Sequence, residues 1–230
     1  MKLAVIPARG GSKRIPKKNI KLFCGKPMIV WSILAAKKSN LFDYIIVSTD
    51  DEEIAEISLE NGAIVPFIRP KELSDDIIGT GPVVKHAVEW SLKNIGSFDY
   101  VATIYATAPF IEPTDIINGF NLLLQNDCQI SFTVTSFPSP IQRAIKINEV
   151  GRVSMFQPQH FLSRSQDLEP AYHDAGQLYW ASTNAVLEEV SAFSQDAIAQ
   201  VLPRHKVQDI DTMEDWQLAE LMFKAWHYAE

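Results

Sequence analysis

The sequence is poor in several features that would point to particular classes of protein. Only two of its 230 residues are cysteine, Cys24 and Cys128, which excludes a disulfide-stapled scaffold. No apolar run approaches the roughly 18 residues needed to cross a bilayer, and no signal-peptide pattern precedes the first apolar segment, so we expect no membrane association and a cytoplasmic location. The 47% hydrophobic content argues against disorder and is sufficient for a single domain over residues 1–230.

Negative charge is missing from the beginning of the chain. Residues 1–42 contain ten Lys or Arg and no Asp or Glu, whereas residues 43–230 contain eleven basic and 28 acidic residues, for a net charge of −7 overall. A basic loop on an otherwise acidic chain favours a small phosphorylated ligand over nucleic acid, which needs an extended positive surface. Six of the ten cations lie within 13 residues: Arg9, Lys13, Arg14, Lys17, Lys18 and Lys21.

Short apolar runs alternate with helical patterns along most of the chain. The run at residues 3–6 is continuously apolar, which is typical of a strand buried on both faces of a parallel sheet. The alternation predicts an α/β fold with a doubly wound, mostly parallel sheet. The predicted strands are 3–6, 44–47, 100–104, 130–135, 144–148, 152–156, 177–181 and 207–211, and the predicted helices are 27–38, 51–62, 82–93, 113–125 and one from 212 onward.

The middle of the chain interrupts this rhythm. Residues 128–156 contain three strand-like runs with no helix between them, which favours antiparallel pairing. Residues 157–173 are polar and contain Pro158 and Pro170, a composition typical of a loop. We therefore expect one domain with a small antiparallel arm or hairpin excursion around residues 135–175.

The basic loop directly follows the first predicted strand, where open α/β sheets bind ligands. Gly10 and Gly11 let the backbone approach a ligand closely and form an anion-binding nest. Arg9, Lys13 and Lys18 are then candidates to neutralise a triphosphate and to stabilise a departing pyrophosphate. A solvated charged loop is the alternative, and a phosphate-binding ATPase loop is excluded because G-x-x-x-x-G-K-[ST] does not occur.

A pair of carboxylates, Asp209 and Asp211, lies near the other end of the sequence. On a strand both would face the same side, where they could bind a hard cation such as Mg²⁺. The D-x-D pattern is also common in turns and caps, so the residues alone leave both interpretations open. Thr212 and Asp215 follow at the spacing of a capping box and predict the start of the last helix.

Residues 6–19, Ile-Pro-Ala-Arg-Gly-Gly-Ser-Lys-Arg-Ile-Pro-Lys-Lys-Asn, resemble the signature I-P-A-R-x-x-S-K-x-[IL]-P-x-K-N of the CMP-sialic acid synthetase family, with every fixed position present. The resemblance implies a Rossmann-like nucleotidyltransferase in which the anomeric hydroxyl of an acidic nine-carbon sugar directly attacks the α-phosphate of CTP. It implies catalytic roles for Arg9, Lys13 and Lys18. The implied nucleotide-binding residues are Ala8, Arg9, Gly10, Gly11, Ser12, Lys13, Lys18, Asn19 and Thr107.

Residues 209–212 resemble the late D-I-D-T motif of the same family, whose aspartates are metal ligands. The resemblance therefore implies Mg²⁺ held by Asp209 and Asp211. It also implies that the excursion is a dimerisation arm that reaches towards the partner's active site. We accordingly expect a homodimer with small-molecule substrates and no nucleic acid.

Two further runs differ from the family members that use sialic acid. Tyr105 and Ile111 replace the Gln and Arg of a Q-P-T-S-P-L-R run, and residues 173–176 replace an Arg-Pro-Asn-Gly-like run, which resembles the branch that uses pseudaminic acid. A sugar acid needs a cation for its carboxylate and polar partners for its hydroxyl and N-acyl groups. The candidates are Tyr105, Gln142, Arg143, Arg164, His173, Asp174, Gln177 and Tyr179.

Two alternatives stay open on the sequence. The nearer is the same chemistry on sialic or legionaminic acid. The more distant is a non-catalytic nucleic-acid-binding module that uses residues 9–21, against which the acidic remainder of the chain weighs.

Overall fold

Strands and helices alternate along the chain in the computed structural model, which describes residues 1–75 and 77–227. The strands are β1 (Lys2–Pro7), β2 (Leu22–Phe23), β3 (Lys26–Pro27), β4 (Tyr44–Ser48), β5 (Tyr100–Ile104), β6 (Ile130–Ser136), β7 (Ile145–Ile147), β8 (Val153–Met155), β9 (Tyr172–Ser182) and β10 (Ala197–Val201). The helices are α1 (Met28–Ser39), α2 (Glu52–Glu60), α3 (Thr80–Asn94), α4 (Pro113–Gln125), α5 (Thr183–Leu187) and α6 (Met213–His227), and short 3₁₀ turns lie between them.

Six strands form the central sheet in the order β10-β6-β9-β5-β1-β4. β1 pairs in parallel with β4 and β5, and β10 pairs in parallel with β6. β9 is antiparallel to both of its neighbours, β5 and β6. The predicted α/β class with a mostly parallel sheet is therefore confirmed, and β9 is the antiparallel strand in its middle.

The sequence pattern of β1 explains its central place. The side chains of Leu3, Ala4, Val5 and Ile6 have no exposed surface, because helices cover both faces of the sheet around them. A strand buried on both faces needs a continuous apolar run, as found here. The chain leaves β1 at the carboxyl edge of the sheet, so the basic loop is presented there.

The predicted strand at residues 207–211 is wrong. The segment has no regular secondary structure and follows a 3₁₀ turn, Arg204–Lys206. Its backbone has no partner strand, and buried Ile210 anchors it in the apolar cluster beneath α6. The predicted cap after it is confirmed, since Asp215 N–H donates to Thr212 Oγ1 at 3.2 Å and Thr212 N–H donates to Asp215 Oδ2 at 2.7 Å.

Two other boundaries differ from the predictions. β9 begins at Tyr172, so residues 172–176, expected to be loop or left unassigned, belong to a long strand. Both edges of this strand find pairing partners, β5 and β6, which local composition does not reveal. The stretch near residues 185–200, which is only weakly strand-like in sequence, contains the end of α5 and, from Ala197, the strand β10 at the edge of the sheet.

The excursion contains an antiparallel hairpin of β7 and β8 outside the central sheet. Its apolar side chains are exposed: Ile147 by 68%, Val150 by 76% and Val153 by 65%. Residues 157–171 continue from it through two short 3₁₀ turns to β9. Across the described residues, no helix is both long enough and apolar enough to traverse a bilayer.

Candidate active site

A cleft of about 290 Å³ opens at the carboxyl ends of β1 and β5. The basic loop forms one wall, and the beginning of α3, with Gly79 and Thr80, forms part of the other. This is the edge at which open α/β sheets bind their ligands. The polar and charged residues that line it are Arg9, Ser12, Lys13, Arg14, Lys18, Asn19, Arg69, Asp75, Thr80, Tyr105, Thr107 and Asp211.

The end of β4 holds the basic loop in place. Gly10 N–H donates to Asp50 Oδ1 at 2.9 Å, and the Asn19 side-chain amide donates to the Arg9 carbonyl at 2.9 Å. A Cβ at Gly10 would lie 2.5 Å from Asp51 Oδ2, whereas one at Gly11 would meet nothing within 4 Å. Gly10 is therefore required by close approach to Asp51, and Gly11 is not constrained in this way.

Three cations of the loop, Lys17, Lys18 and Arg14, point in two different directions. Lys17 turns away from the cleft and forms an ion pair with Glu53, which raises the pKa of Lys17. Lys18 and Arg14 turn towards the end of the chain. Lys18 Nζ donates to the Ile210 carbonyl at 2.6 Å and lies 3.4 Å from Asp211 Oδ1, and Arg14 Nη2 lies 2.9 Å from Asp211 Oδ2. The cleft therefore joins segments that are more than 190 residues apart.

Asp209 and Asp211 interact although they do not lie on a strand. The pKa of Asp209 is raised, first because the chain partly desolvates its carboxyl group and second because Asp211 adds a like charge. Asp211 lines the cleft and Asp209 lies beside it. Within residues 1–75 and 77–227, no three His, Cys, Asp or Glu side chains are grouped so as to hold a metal by themselves.

The carboxylate pair nevertheless fits Mg²⁺. This ion is commonly bound by one or two carboxylates and completes its shell with water and substrate phosphates. A divalent cation would also offset the desolvation and the Asp211 repulsion that together raise the pKa of Asp209. The two carboxylates are thus too few to complete the shell of a metal ion by themselves. They suit a metal ion that also binds the oxygens of a triphosphate.

Sequence reasoning missed Arg69, a buried cation in the wall of the cleft. It is only 5% exposed, and its Nη2 donates to the Ser48 carbonyl at 3.1 Å. Burial lowers its pKa, while the Asp50 carboxylate opposes that shift. Arg69 Nε is buried and has no hydrogen-bond partner. The one sequence signal was an arginine ending an apolar stretch just before Pro70, which is weak without the fold.

A second pocket, of about 360 Å³, shares Thr80 and Tyr105 with the cleft. Tyr179 OH donates to Asp174 Oδ2 at 2.5 Å, and the Tyr105 and Thr80 hydroxyls are 3.2 Å apart. Burial, followed by the neighbouring Tyr105 and Asp174, raises the pKa of Tyr179, so it remains a neutral donor. The rest of the lining is mostly apolar and includes Val84, Ala181, Val186, Val190 and Phe193.

The structure brings together only some of the predicted sugar-binding residues. Tyr105, Asp174 and Tyr179 line the second pocket. The other five line neither the cleft nor the second pocket within the described residues. They are Gln142, Arg143, Arg164, His173 and Gln177.

The positions of those five residues differ. Gln142 and Arg143 lie on the excursion, where they contact the Glu169 carbonyl and Ser165 Oγ. Arg164 also lies there, just before a 3₁₀ turn. His173 is half-buried beside Phe137. Gln177 is only 2% exposed, and its amide donates to the Lys206 carbonyl at 2.7 Å.

Of the predicted nucleotide-binding residues, Thr107 lines the cleft together with the loop. Ala8 is buried at the base of the loop, and its N–H donates to the Ser48 carbonyl.

Comparison with known proteins gives consistent results. The family model described as cytidylyltransferase matches residues 3–216. The chain is 46% identical to a pseudaminic acid cytidylyltransferase of Campylobacter jejuni, over 98% of this chain and 97% of that protein. It is 32% identical to a CMP-N,N'-diacetyllegionaminic acid synthase of Legionella pneumophila, over 96% of each. A CMP:2-keto-3-deoxy-manno-octonic acid synthetase complexed with CTP has the same fold, with a TM-score of 0.68, 16% identity, and coverage of 97% and 98%.

The difference between Gly10 and Gly11 gives a matched test of the loop geometry. We expect Gly10→Ala to lower the free energy of unfolding by about 1–3 kcal/mol, because its Cβ would displace Asp51 from the start of α2. Gly11→Ala should change it by less than about 0.5 kcal/mol. Urea denaturation of the two variants measures the difference, and equal effects would contradict the close approach.

Proposed function

The chain belongs to the cytidylyltransferase family, and from this membership we propose that it converts CTP and pseudaminic acid to CMP-pseudaminic acid and pyrophosphate. A bond forms between the anomeric oxygen of the sugar and the α-phosphorus of CTP. The bond from that phosphorus to the oxygen bridging to the β-phosphate breaks, and the hydroxyl proton passes to water. The observation that best supports this reaction is the cleft lined by the loop cations and Asp211, which adjoins a second pocket at Thr80 and Tyr105.

The basic loop is proposed to bind the triphosphate. Arg9, Lys13 and Lys18 lie in the cleft wall with Ser12 and Asn19. Their charges stabilise the negative charge that moves onto pyrophosphate as the bond to the α-phosphate breaks. Because Asp50 and Asn19 already hold the loop backbone, little reorganisation is needed when the nucleotide binds.

Arg69 is proposed as a further nucleotide contact. Its guanidinium lines the cleft and is largely desolvated, so its positive charge would attract a phosphate group more strongly than a charge in water does. An arginine is suited to this role because it remains charged when buried. Gly10 and Arg69 share Asp50 as a partner, which couples the loop to this second cation.

Mg²⁺ is proposed to bind Asp209 and Asp211. When bound, the ion would polarise phosphate oxygens and neutralise part of their charge. In the described structure Arg14 and Lys18 contact Asp211. A triphosphate competes for the same two cations, so nucleotide entry would release the Asp211 carboxylate from them and make it available as a ligand.

The second pocket is proposed to hold the sugar. Asp174 and Tyr179 supply hydroxyl partners, and the apolar wall suits the methyl groups of N-acyl substituents. Pseudaminic acid is the preferred substrate because the two Campylobacter jejuni relatives named for it are 45% and 46% identical to this chain. The legionaminic acid synthase of Legionella pneumophila, at 32%, supports the same chemistry on legionaminic or sialic acid as the alternative.

A sugar panel tests the reaction and the substrate together. We expect pyrophosphate release from CTP with pseudaminic acid to exceed that with legionaminic or sialic acid by at least about tenfold in kcat/KM, equivalent to about 1.4 kcal/mol. Pyrophosphate release is measured with each sugar at equal concentration. Preference for another sugar would transfer the assignment to the alternative, and release with none of them would overturn the proposed reaction.

A substitution at Asp211 tests the proposal that Asp209 and Asp211 bind the metal. Asp211→Ala should reduce pyrophosphate release by about a hundredfold or more, because one of two carboxylate ligands is lost. CTP should still raise the thermal midpoint of unfolding, since the loop is intact. Glu214→Ala is the control, because that carboxylate is exposed on the first turn of α6. Retained activity with unchanged Mg²⁺ dependence would contradict the metal assignment.

The excursion is proposed to form a homodimer by packing against a second copy of the chain. Isolated hairpins are marginally stable in water, and large exposed apolar patches are typical of interaction sites. The hairpin of β7 and β8 exposes Ile147, Val150 and Val153, and Phe161 and Leu162 beyond it are 69% and 89% exposed. Gln142, Arg143 and Arg164 would then serve the sugar pocket of the partner.

We further propose that the enzyme works in the cytoplasm, where CTP is supplied.

Complementation tests whether the arm serves the partner's site. Arg164→Ala and Asp211→Ala should each be inactive alone. After the two are mixed and allowed to exchange chains, about a quarter of the activity should return, because half of the dimers are mixed and each has one intact site. Sedimentation confirms that dimers are present. Dimers that regain no activity would place Arg164 in its own chain's site, and an Arg164→Ala variant that is active alone would place it outside catalysis.

A further inference from the structure

Lys206 is a buried lysine outside both pockets of the proposed active site. The residue is 7% exposed, and its Nζ lies 2.5 Å from Asp115 Oδ2 and 2.7 Å from Glu112 Oε2. Asp115 is also buried, at 6% exposure, and its Oδ2 accepts the Glu112 N–H at 3.0 Å. The ammonium is therefore held by two carboxylates at the first turn of α4.

The main chain of Lys206 is held as firmly as its side chain. Its carbonyl accepts the buried Gln177 amide at 2.7 Å, and its N–H donates to the Pro203 carbonyl at 2.9 Å. The Gln177 carbonyl in turn accepts the N–H of Tyr105, which lines both pockets. Lys206 thus connects α4 and β9 to the segment that follows it.

The segment after Lys206 carries the proposed metal ligands, three and five residues further on. Residues 207–211 have no regular secondary structure, so no ladder or helix holds them. Beyond Lys206, the segment is anchored by buried Ile210, whose carbonyl accepts from Lys18 Nζ at 2.6 Å, and by Asp215, which accepts the Asp211 N–H at 3.1 Å. Lys206 is therefore the anchor on the upstream side of Asp209 and Asp211.

A buried ion pair of this kind is weak evidence for stability, because desolvation of the charges offsets much of their attraction. Its geometry is nevertheless specific, since one ammonium meets two carboxylates at once, at 2.5 and 2.7 Å. We propose that Lys206 is a positioning residue, which fixes the backbone that aims Asp209 and Asp211 at the metal. This inference rests on the proposed function, in which those aspartates bind Mg²⁺.

The test measures metal binding without turnover. Mn²⁺ is the probe, and its binding to the full chain with CTP, but no sugar, is followed by the electron paramagnetic resonance of the free ion. Lys206→Met removes the ammonium, and Lys206→Met with Asp115→Asn also removes the buried charge left unpaired. We expect the Mn²⁺ dissociation constant to rise roughly tenfold to a hundredfold in both, and Lys206→Arg to restore part of the affinity.

Controls separate this role from a general loss of structure. Lys224→Met removes a surface lysine of α6 that pairs only loosely with Glu220, at 3.8 Å, and should leave Mn²⁺ binding unchanged. CTP affinity without metal should be equal in all variants. The double variant carries the test should Lys206→Met alone not fold, and cooperative urea unfolding establishes that it is folded.

The outcomes distinguish the inference from the function on which it rests. A folded double variant that binds Mn²⁺ as tightly as the unaltered chain, while Asp211→Ala binds it weakly, overturns the role of Lys206 and leaves the metal pair intact. Unchanged Mn²⁺ binding in Asp211→Ala overturns the assignment of Asp209 and Asp211 as metal ligands and the Lys206 inference together. Weaker Mn²⁺ binding in the double variant and in Asp211→Ala, with partial recovery in Lys206→Arg, supports the proposal.

Discussion

The contact on which the site depends is the one between the loop cations and Asp211. Arg14 and Lys18 belong to the acid-free beginning of the chain, and Asp211 to its acidic remainder. Lys18 is 20% exposed and Arg14 67%, so water screens the attraction of Asp211 to Lys18 less than its attraction to Arg14. Both cations also line the cleft, so under the proposed function the triphosphate would compete with Asp211 for them.

The sheet makes this contact possible by its connectivity. β1 lies between β4 and β5, so the loop that leaves it meets Asp50 on one side and Tyr105 on the other. The antiparallel strand β9 then brings Asp174 and Tyr179 beside Tyr105, which opens the second pocket next to the first. In the proposed reaction, two substrates of different chemistry, one polyanionic and one with apolar substituents, would meet at this shared border.

The two walls of the site are held by different means. Hydrogen bonds to Asp50 and Asn19 hold the basic loop directly after a buried strand. Residues 207–211 have no strand to support them, and they are held instead by Lys206 before them and by Ile210 within them, which is buried and accepts from Lys18. This difference explains why the sequence located the first segment correctly and predicted a strand for the second, where none forms.

The α/β class, the position of the basic loop after β1 and the cap at Thr212 could be predicted from the sequence, because each depends on contiguous residues with a local pattern. The sequence misplaced residues 207–211 in a strand, since alternating side chains cannot reveal whether a partner strand exists. Only the tertiary structure decided that Arg69 lines the cleft, that Gln177 holds Lys206 rather than a pocket wall, and that Asp211 meets Lys18. These contacts join residues 29 to 193 positions apart, or depend on burial, and a local pattern carries no record of either.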